Sequence, residues 1–217
     1  MWAIVWKDVQ LELRTKERLA SFFVLAVLIV LVWIFALGPE QARDPHIGAA
    51  VLWVGLLFAG MLSLQRSFLI EQERGCLSGL LLCPIAPSDI FVAKLLGNIV
   101  FLSLVQAIVV PITIVLCGLP VSWSLLGLPL IVLLGIIGFS ALGTIFAVLA
   151  VRTRAGEVLF PLVLLPLLVP LLLSAVQTTG ALLSGGEWTG VWLRVLIAFD
   201  VVFVVAGWLL FGQAVYE

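Results

Sequence analysis

The 217-residue chain is 64% hydrophobic, only 11% charged and carries a formal net charge of −1; its mean hydropathy is +1.32. A soluble domain is excluded, because its exterior would have to be substantially polar. The near-neutral charge gives no pointer to nucleic acid.

Residues 2–18 form the first element. Trp2, Val5, Trp6, Val9 and Leu13 share one helical face, with Lys7, Arg14 and Arg18 opposite. That pattern predicts an amphipathic helix over 1–19 lying in a membrane interface. Charges recur up to Arg18 before the first long apolar run, unlike a cleavable signal.

Six apolar runs follow, at about 20–38, 46–64, 94–117, 125–150, 157–178 and 191–212. Each suits a bilayer core of roughly 30 Å at about 1.5 Å per helical residue. Backbone groups in lipid must pair internally, so the runs are helices. The chain reads as an all-α integral membrane protein with six transmembrane helices, in one domain over 1–217. An even number of spans puts both termini on one side. Lys7, Arg14, Lys16, Arg18, Arg66, Arg74, Lys94, Arg152 and Arg154 then share that side, against Arg43 and Arg194 on the other. By the positive-inside rule, both termini and the loop at 66–93 are cytoplasmic.

The outer loop between spans one and two holds the sole histidine, His46. It is either solvated or a ligand for a metal or haem iron. Trp33, Trp53, Trp123, Trp188 and Trp192 fall near the outer interface, and Trp2, Trp6 and Trp208 near the inner one. They form an aromatic belt, or some outer ones stack on a flat aromatic ligand. His46, Trp188 and Trp192 are the candidates for an outer-face haem or partner contact.

The loop after span two is the most informative stretch. Glu71 to Leu82 is helix-compatible, Pro84 ends it, and Pro87-Ser88-Asp89 restarts a helix with Ser88 as N-cap. Leu77, Leu80 and Leu81 make an apolar ridge at helical spacing. Such a ridge docks in a partner's groove, or it lies on lipid headgroups. The docking candidates are Glu71, Glu73, Arg74, Gly75, Leu77, Leu80, Leu81, Pro84, Ser88 and Asp89.

Later spans carry scattered polar residues: Asn98, Gln106, Gln177 and Asp200. An intramembrane carboxylate is costly and is a site candidate by default. Asp200 either hydrogen-bonds within the bundle, with Arg194 a poorly spaced partner, or lines a path. Pro161, Pro166 and Pro170 interrupt span five. Each removes a helical donor, giving a fixed bend or a moving, path-lining helix. Ser140, Gly143, Thr144 and Ala147 give small-residue spacing for close helix contact.

Catalytic constellations are missing. The sequence holds no HExxH, GxSxG or GxxxxGK[ST] motif, so the chain has no visible means of binding ATP itself. Cys76, Cys83 and Cys117 lack metal-ligand spacing and read as reduced thiols.

The loop resembles the coupling-helix segment of ABC-2 transporter permeases. Glu71, Glu73, Gly75, Leu80-Leu81, Pro84, Ser88 and Lys94 match that pattern in order. A closer likeness is to the haem exporter protein B family, the permease of the cytochrome c maturation system. It rests on Lys7-Asp8 with Glu12-Leu13-Arg14, on Leu64-Gln65-Arg66-Ser67-Phe68, and on Glu73-Arg74-Gly75-Cys76-Leu77. Gly79 to Leu82, Lys94 to Asn98 and the proline-rich Phe160 to Pro170 add to it. The resemblance implies a bacterial inner-membrane permease with haem as a possible cargo. It implies a soluble ABC ATPase that binds ATP and Mg, a second copy of this chain, a membrane protein with a tryptophan-rich haem-handling motif, and a periplasmic haem chaperone. This chain lacks such a tryptophan-rich motif, which argues against direct haem ligation. Two rivals stand beside this reading: an ABC-2 permease for a lipid, glycan or drug, and a membrane scaffold that moves nothing.

Overall fold

The computed structural model describes residues 17–73, 87–119, 123–152 and 156–216. Helices α1 (Glu17–Leu37), α2 (Pro39–Ala42), α3 (Pro45–Glu73), α4 (Pro87–Cys117), α5 (Leu128–Arg152), α6 (Gly156–Leu183) and α7 (Val191–Tyr216) follow in order, with a 3-10 turn at Trp123–Gly127. No strand occurs among the described residues. Six of these helices contain stretches long and apolar enough to cross a membrane, from Ala20–Leu37 to Val191–Phe211. The chain is an all-helical, multi-pass membrane protein.

The helices outrun the apolar spans read from the sequence. The second run was expected at 46–64, but α3 continues to Glu73; the third was expected from 94, but α4 starts at Pro87. Helix geometry continues past the bilayer wherever nothing breaks it. At 29 and 31 residues, α3 and α4 are roughly 44 and 46 Å long, against a bilayer core of roughly 30 Å. Ser88 is therefore inside the first turn of α4 rather than its N-cap.

Local chemistry explains the helix ends. Asp44 caps α3: its Oδ1 accepts the N–H of His46 at 2.8 Å and of Ile47 at 3.3 Å. Pro45 follows as the first helical residue, where no donor is missed. Helix α4 ends on Gly118 at φ 63°. There Leu119 N–H reaches the Ile114 carbonyl and Gly118 N–H reaches that of Val115. Helix α6 repeats the arrangement at Gly185 and Gly186, with carbonyls of Leu182 and Ala181. Both are six-to-one closures that need a left-handed residue, hence glycine.

Two ends of the bundle can be told apart. The His46 end gathers α2, the start of α3, the end of α4 and the α6–α7 connection. The Glu73 end gathers the end of α3, the start of α4 and the end of α5. Helix α5 is the centre, packing against α3, α4, α6 and α7. Lipid tails are as apolar as leucine, so close fit rather than water exclusion holds such helices together. Glycines provide the fit. Gly135 on α5 leaves room for the Trp53 ring, Gly143 for Leu64, and Gly60 on α3 for Phe139. Gly207 on α7 does the same for Phe91. Exposed Val24, Leu28, Val32 and Phe35 on α1 face outward, opposite buried Phe22, Ala26 and Val30.

Candidate functional site

The buried polar residues separate into distinct places. The first is mid-bundle, where Asp200 of α7 meets α5 and α6. Asp200 is 6% exposed. Its Oδ1 is turned to Gly138 of α5, beside Leu171 of α6 and Phe199. Neither carboxylate oxygen finds a hydrogen-bond partner of good geometry among the described residues. Asp200 follows the start of α7 by nine residues, roughly 14 Å, which is near the middle of a bilayer. Arg194 is exposed and pairs with nothing at this carboxylate. The expected Asp200–Arg194 pairing is therefore not made; six positions are nearly two turns, and the guanidinium is drawn outward.

Asn98 is different. Its Nδ2 donates to Thr144 Oγ1 at 3.1 Å, tying α4 to α5. Thr144 belongs to the small-residue stripe, so Asn98 acts as a helix–helix bond here. Trp53 corrects a placement made from sequence. It was read as an interfacial tryptophan near the outer face, yet it is 0% exposed. Its Nε1 donates to Thr179 Oγ1 of α6 at 3.0 Å. The absent side chain of Gly135 makes the space, and the one indole donor is satisfied inside the bundle.

Gln106 is in a third place. It lines a groove of about 600 Å³ between α4 and the neighbouring part of α5. Thus Gln106, Asn98 and Asp200 do not share one cavity among the described residues: Gln106 alone of the three lines this groove. Gln177 is half-buried on α6.

The α6 prolines interrupt a helix that continues from Gly156 to Leu183. Its buried stripe is Leu164, Leu168, Leu171, Ala175 and Thr178. Pro166 and Pro170 stand on the exposed side and Pro161 is half-buried. Pro166 and Pro170 face away from the interior of this single chain. Ser174 Oγ donates to the Pro170 carbonyl at 2.8 Å and Thr178 Oγ1 to that of Ser174 at 2.7 Å. These bonds fall on carbonyls other than those of Leu162 and Pro166, which Pro166 and Pro170 deprive of their helical donors.

At the His46 end, the imidazole lies on Gly180 of α6, with Nδ1 nearest. Trp188 is half-buried over Gly127. Trp192 is 47% exposed. His46 and Trp188 thus meet different glycines. No group of three or more metal-capable side chains occurs among the described residues.

The docking candidates are described only at their edges. Glu71 and Glu73 belong to the final turn of α3. Ser88 is half-buried and Asp89 exposed in the first turn of α4. Arg74, Gly75, Leu77, Leu80, Leu81 and Pro84 lie outside the described residues, as do residues 1–16 of the interfacial helix.

Sequence reasoning overlooked Ser103, Gly138 and Gly180. Ser103 is three residues before Gln106, so it shares its face; that spacing was a usable signal. Nothing local announces that Gly138 meets Asp200, because their meeting depends on how α5 and α7 cross.

A family model, that of the CcmB protein, matches residues 1–216. Heme exporter protein B of Rhodobacter capsulatus is 32% identical over 173 residues, covering 80% of this chain and 79% of the relative. Heme exporter protein B of Bradyrhizobium diazoefficiens is 27% identical over 208 residues, covering 94% and 92%. The Pseudomonas aeruginosa relative of the same name is 29% identical over 194 residues, covering 88% and 86%.

Proposed function

The chain belongs to the CcmB protein family, and on that premise we propose that it is the permease subunit of an ABC transporter for cytochrome c maturation. The observation that carries the reading is the family match over residues 1–216, which runs through every apolar span and every loop. ATP hydrolysis by a partner subunit drives haem export, or release of a haem-loaded periplasmic chaperone. This chain supplies the membrane helices and a docking loop; the partner ATPase supplies the ATP and Mg site.

The overhang of α3 and α4 supports this division of labour. Both helices are about half again as long as the bilayer core is thick. Their ends at Glu73 and Pro87 bracket the 74–86 connection. A push on that connection passes into the bundle along α3 and α4, and the spans tilt as rigid bodies. The basic residues bias that end to the cytoplasm of a bacterial inner membrane, with both termini there. A second copy of the chain completes the transporter. The tryptophan-rich haem-handling protein and the chaperone act at the His46 end, where His46, Trp188 and Trp192 are the contact candidates.

Leu80 and Leu81 enter a cleft of the ATPase, with Glu71, Glu73 and Arg74 at its rim. Burying two leucines contributes roughly 3–6 kcal/mol before ordering costs. Leu81→Asp strands a charge in that cleft. The expected result is normal membrane insertion, loss of the ATPase on copurification in detergent, and loss of cytochrome c maturation. ATPase recovery at wild-type levels with the Leu81→Asp chain would overturn the docking assignment.

A further inference from the structure

The groove between α4 and α5 is not needed by the docking mechanism, and its chemistry is specific. Most of its wall is aliphatic. One turn of α4 is the exception. Gln106 is 1% exposed, and neither its Nε2 nor its Oε1 finds a partner among the described residues. Ser103 Oγ, on the same face and lining the same groove, is also unpartnered. Pro111 interrupts α4 four residues after Ala107, and both line the groove. Proline has no N–H, so the Ala107 carbonyl lacks its helical donor. One stretch of wall thus presents a hydroxyl, a primary amide and a freed carbonyl.

Leaving such groups unpaired in hydrocarbon is costly. An aliphatic chain cannot pair them, so ordinary lipid tails leave the cost in place. Among the described residues no cation lines the groove, so a phosphate or an ionised carboxylate is not matched either. Depth narrows the choice further. Gln106 is eleven residues from the end of α4 at Cys117, roughly 16 Å, or about half the bilayer core. The groove runs from that depth toward Val115 and Leu125 at the His46 end. Its volume of about 600 Å³ falls within the range of small-molecule sites.

We infer that the α4–α5 groove binds a long-chain amphiphile, head inward at Gln106, whose uncharged head both donates and accepts hydrogen bonds: a hydroxyl or a protonated carboxyl. The head donates to Gln106 Oε1 or the Ala107 carbonyl and accepts from Gln106 Nε2 or Ser103. The chain lies along the aliphatic wall. This site stands apart from the loop on which the ATPase docks, and its test does not depend on that docking.

Photolabelling of the full chain in native membrane vesicles tests it. Four probes carry a diazirine in a long chain: an alcohol, the corresponding carboxylic acid, its methyl ester, and a phospholipid. The ester keeps an acceptor and loses the donor. Peptides from α4 and α5 should be labelled about fivefold more by the alcohol or the acid than by the ester; which of the two dominates identifies the head. Gln106→Leu keeps the bulk and removes the amide, and should bring that labelling down to the ester's level. Ser103→Ala, a milder change, should lower the preference part of the way. Equal labelling by all four probes means a wall wetted by bulk lipid and overturns the site. Absence of label in the groove means that another helix or only water fills it, with the same consequence. A preference unchanged in both variants also rejects it.

Discussion

Asp200 and Trp53 show how a buried side chain with polar atoms can be isolated or tied down by one neighbour. Both are buried polar side chains that a glycine of α5 lets in. Trp53 found Thr179; Asp200 found no partner of good geometry among the described residues. Interhelical hydrogen bonds in membranes contribute only about 0.6 kcal/mol on average, so Trp53 matters more for shape than for its bond. Gly135→Val should therefore destabilise the chain by about 1–3 kcal/mol through overpacking against the indole, read as a lower melting temperature of the purified protein. An unchanged melting temperature would show that the indole moves aside freely. Asp200 calls for a different test. Asn is nearly isosteric and keeps polarity while losing the ionisable proton. If Asp200 serves the working cycle, Asp200→Asn lowers cytochrome c maturation while protein level stays normal. Full maturation in that variant would remove Asp200 from the mechanism. Its burial depth was legible in the sequence, from its place within an apolar run. Its isolation was not, because it depends on the crossing of α5, α6 and α7.

At the scale of elements, apolar run length located all six spans within a few residues in most cases. The larger misses were the start of α4, whose apolar stretch begins at Ser88 rather than 94, the end of α6 at Leu183 rather than 178, and the end of α3, which continues as helix to Glu73 past its apolar stretch Pro45–Leu62. Hydropathy reports solvent, not backbone geometry, so it stops where the lipid stops. Proline content likewise marked α6 without telling which way the prolines face. Pro166 and Pro170 point outward, away from the Leu164–Thr178 stripe. Their role must then be read in the backbone. Each proline leaves a carbonyl one turn earlier without its usual donor, which softens bending at that point. Replacing Pro166 and Pro170 by alanine restores two donors without disturbing the buried stripe. Thermal stability should stay level or rise. Maturation should fall if bending of α6 is part of the cycle. A doubly substituted chain with full maturation and raised stability would leave the prolines a purely structural role.

The whole molecule turns on which end faces the cytoplasm. On the proposed function, the docking loop, the ATPase and the chaperone would all exchange places if the bundle were inverted. Fold alone is indifferent to this, because six spans return both termini to one side either way. Charge is what breaks the symmetry: by their order in the sequence, nine of the eleven basic residues belong with the termini and the 66–93 loop, against Arg43 and Arg194 on the other side. Translocating a basic segment is disfavoured, and short loops obey this rule best. Single cysteines placed at Glu40 and Glu187, in a chain whose three native cysteines are replaced, should react with an impermeant thiol reagent added outside intact cells. Cysteines at Ser78 and Arg154 should react only after the membrane is opened. Glu40 and Glu187 suit this test because both are exposed and belong to the connections at the His46 end. Outside labelling at Ser78 would place the loop on the face where no ATP is available. The ATPase could not dock there, and the permease reading would lose its energy source.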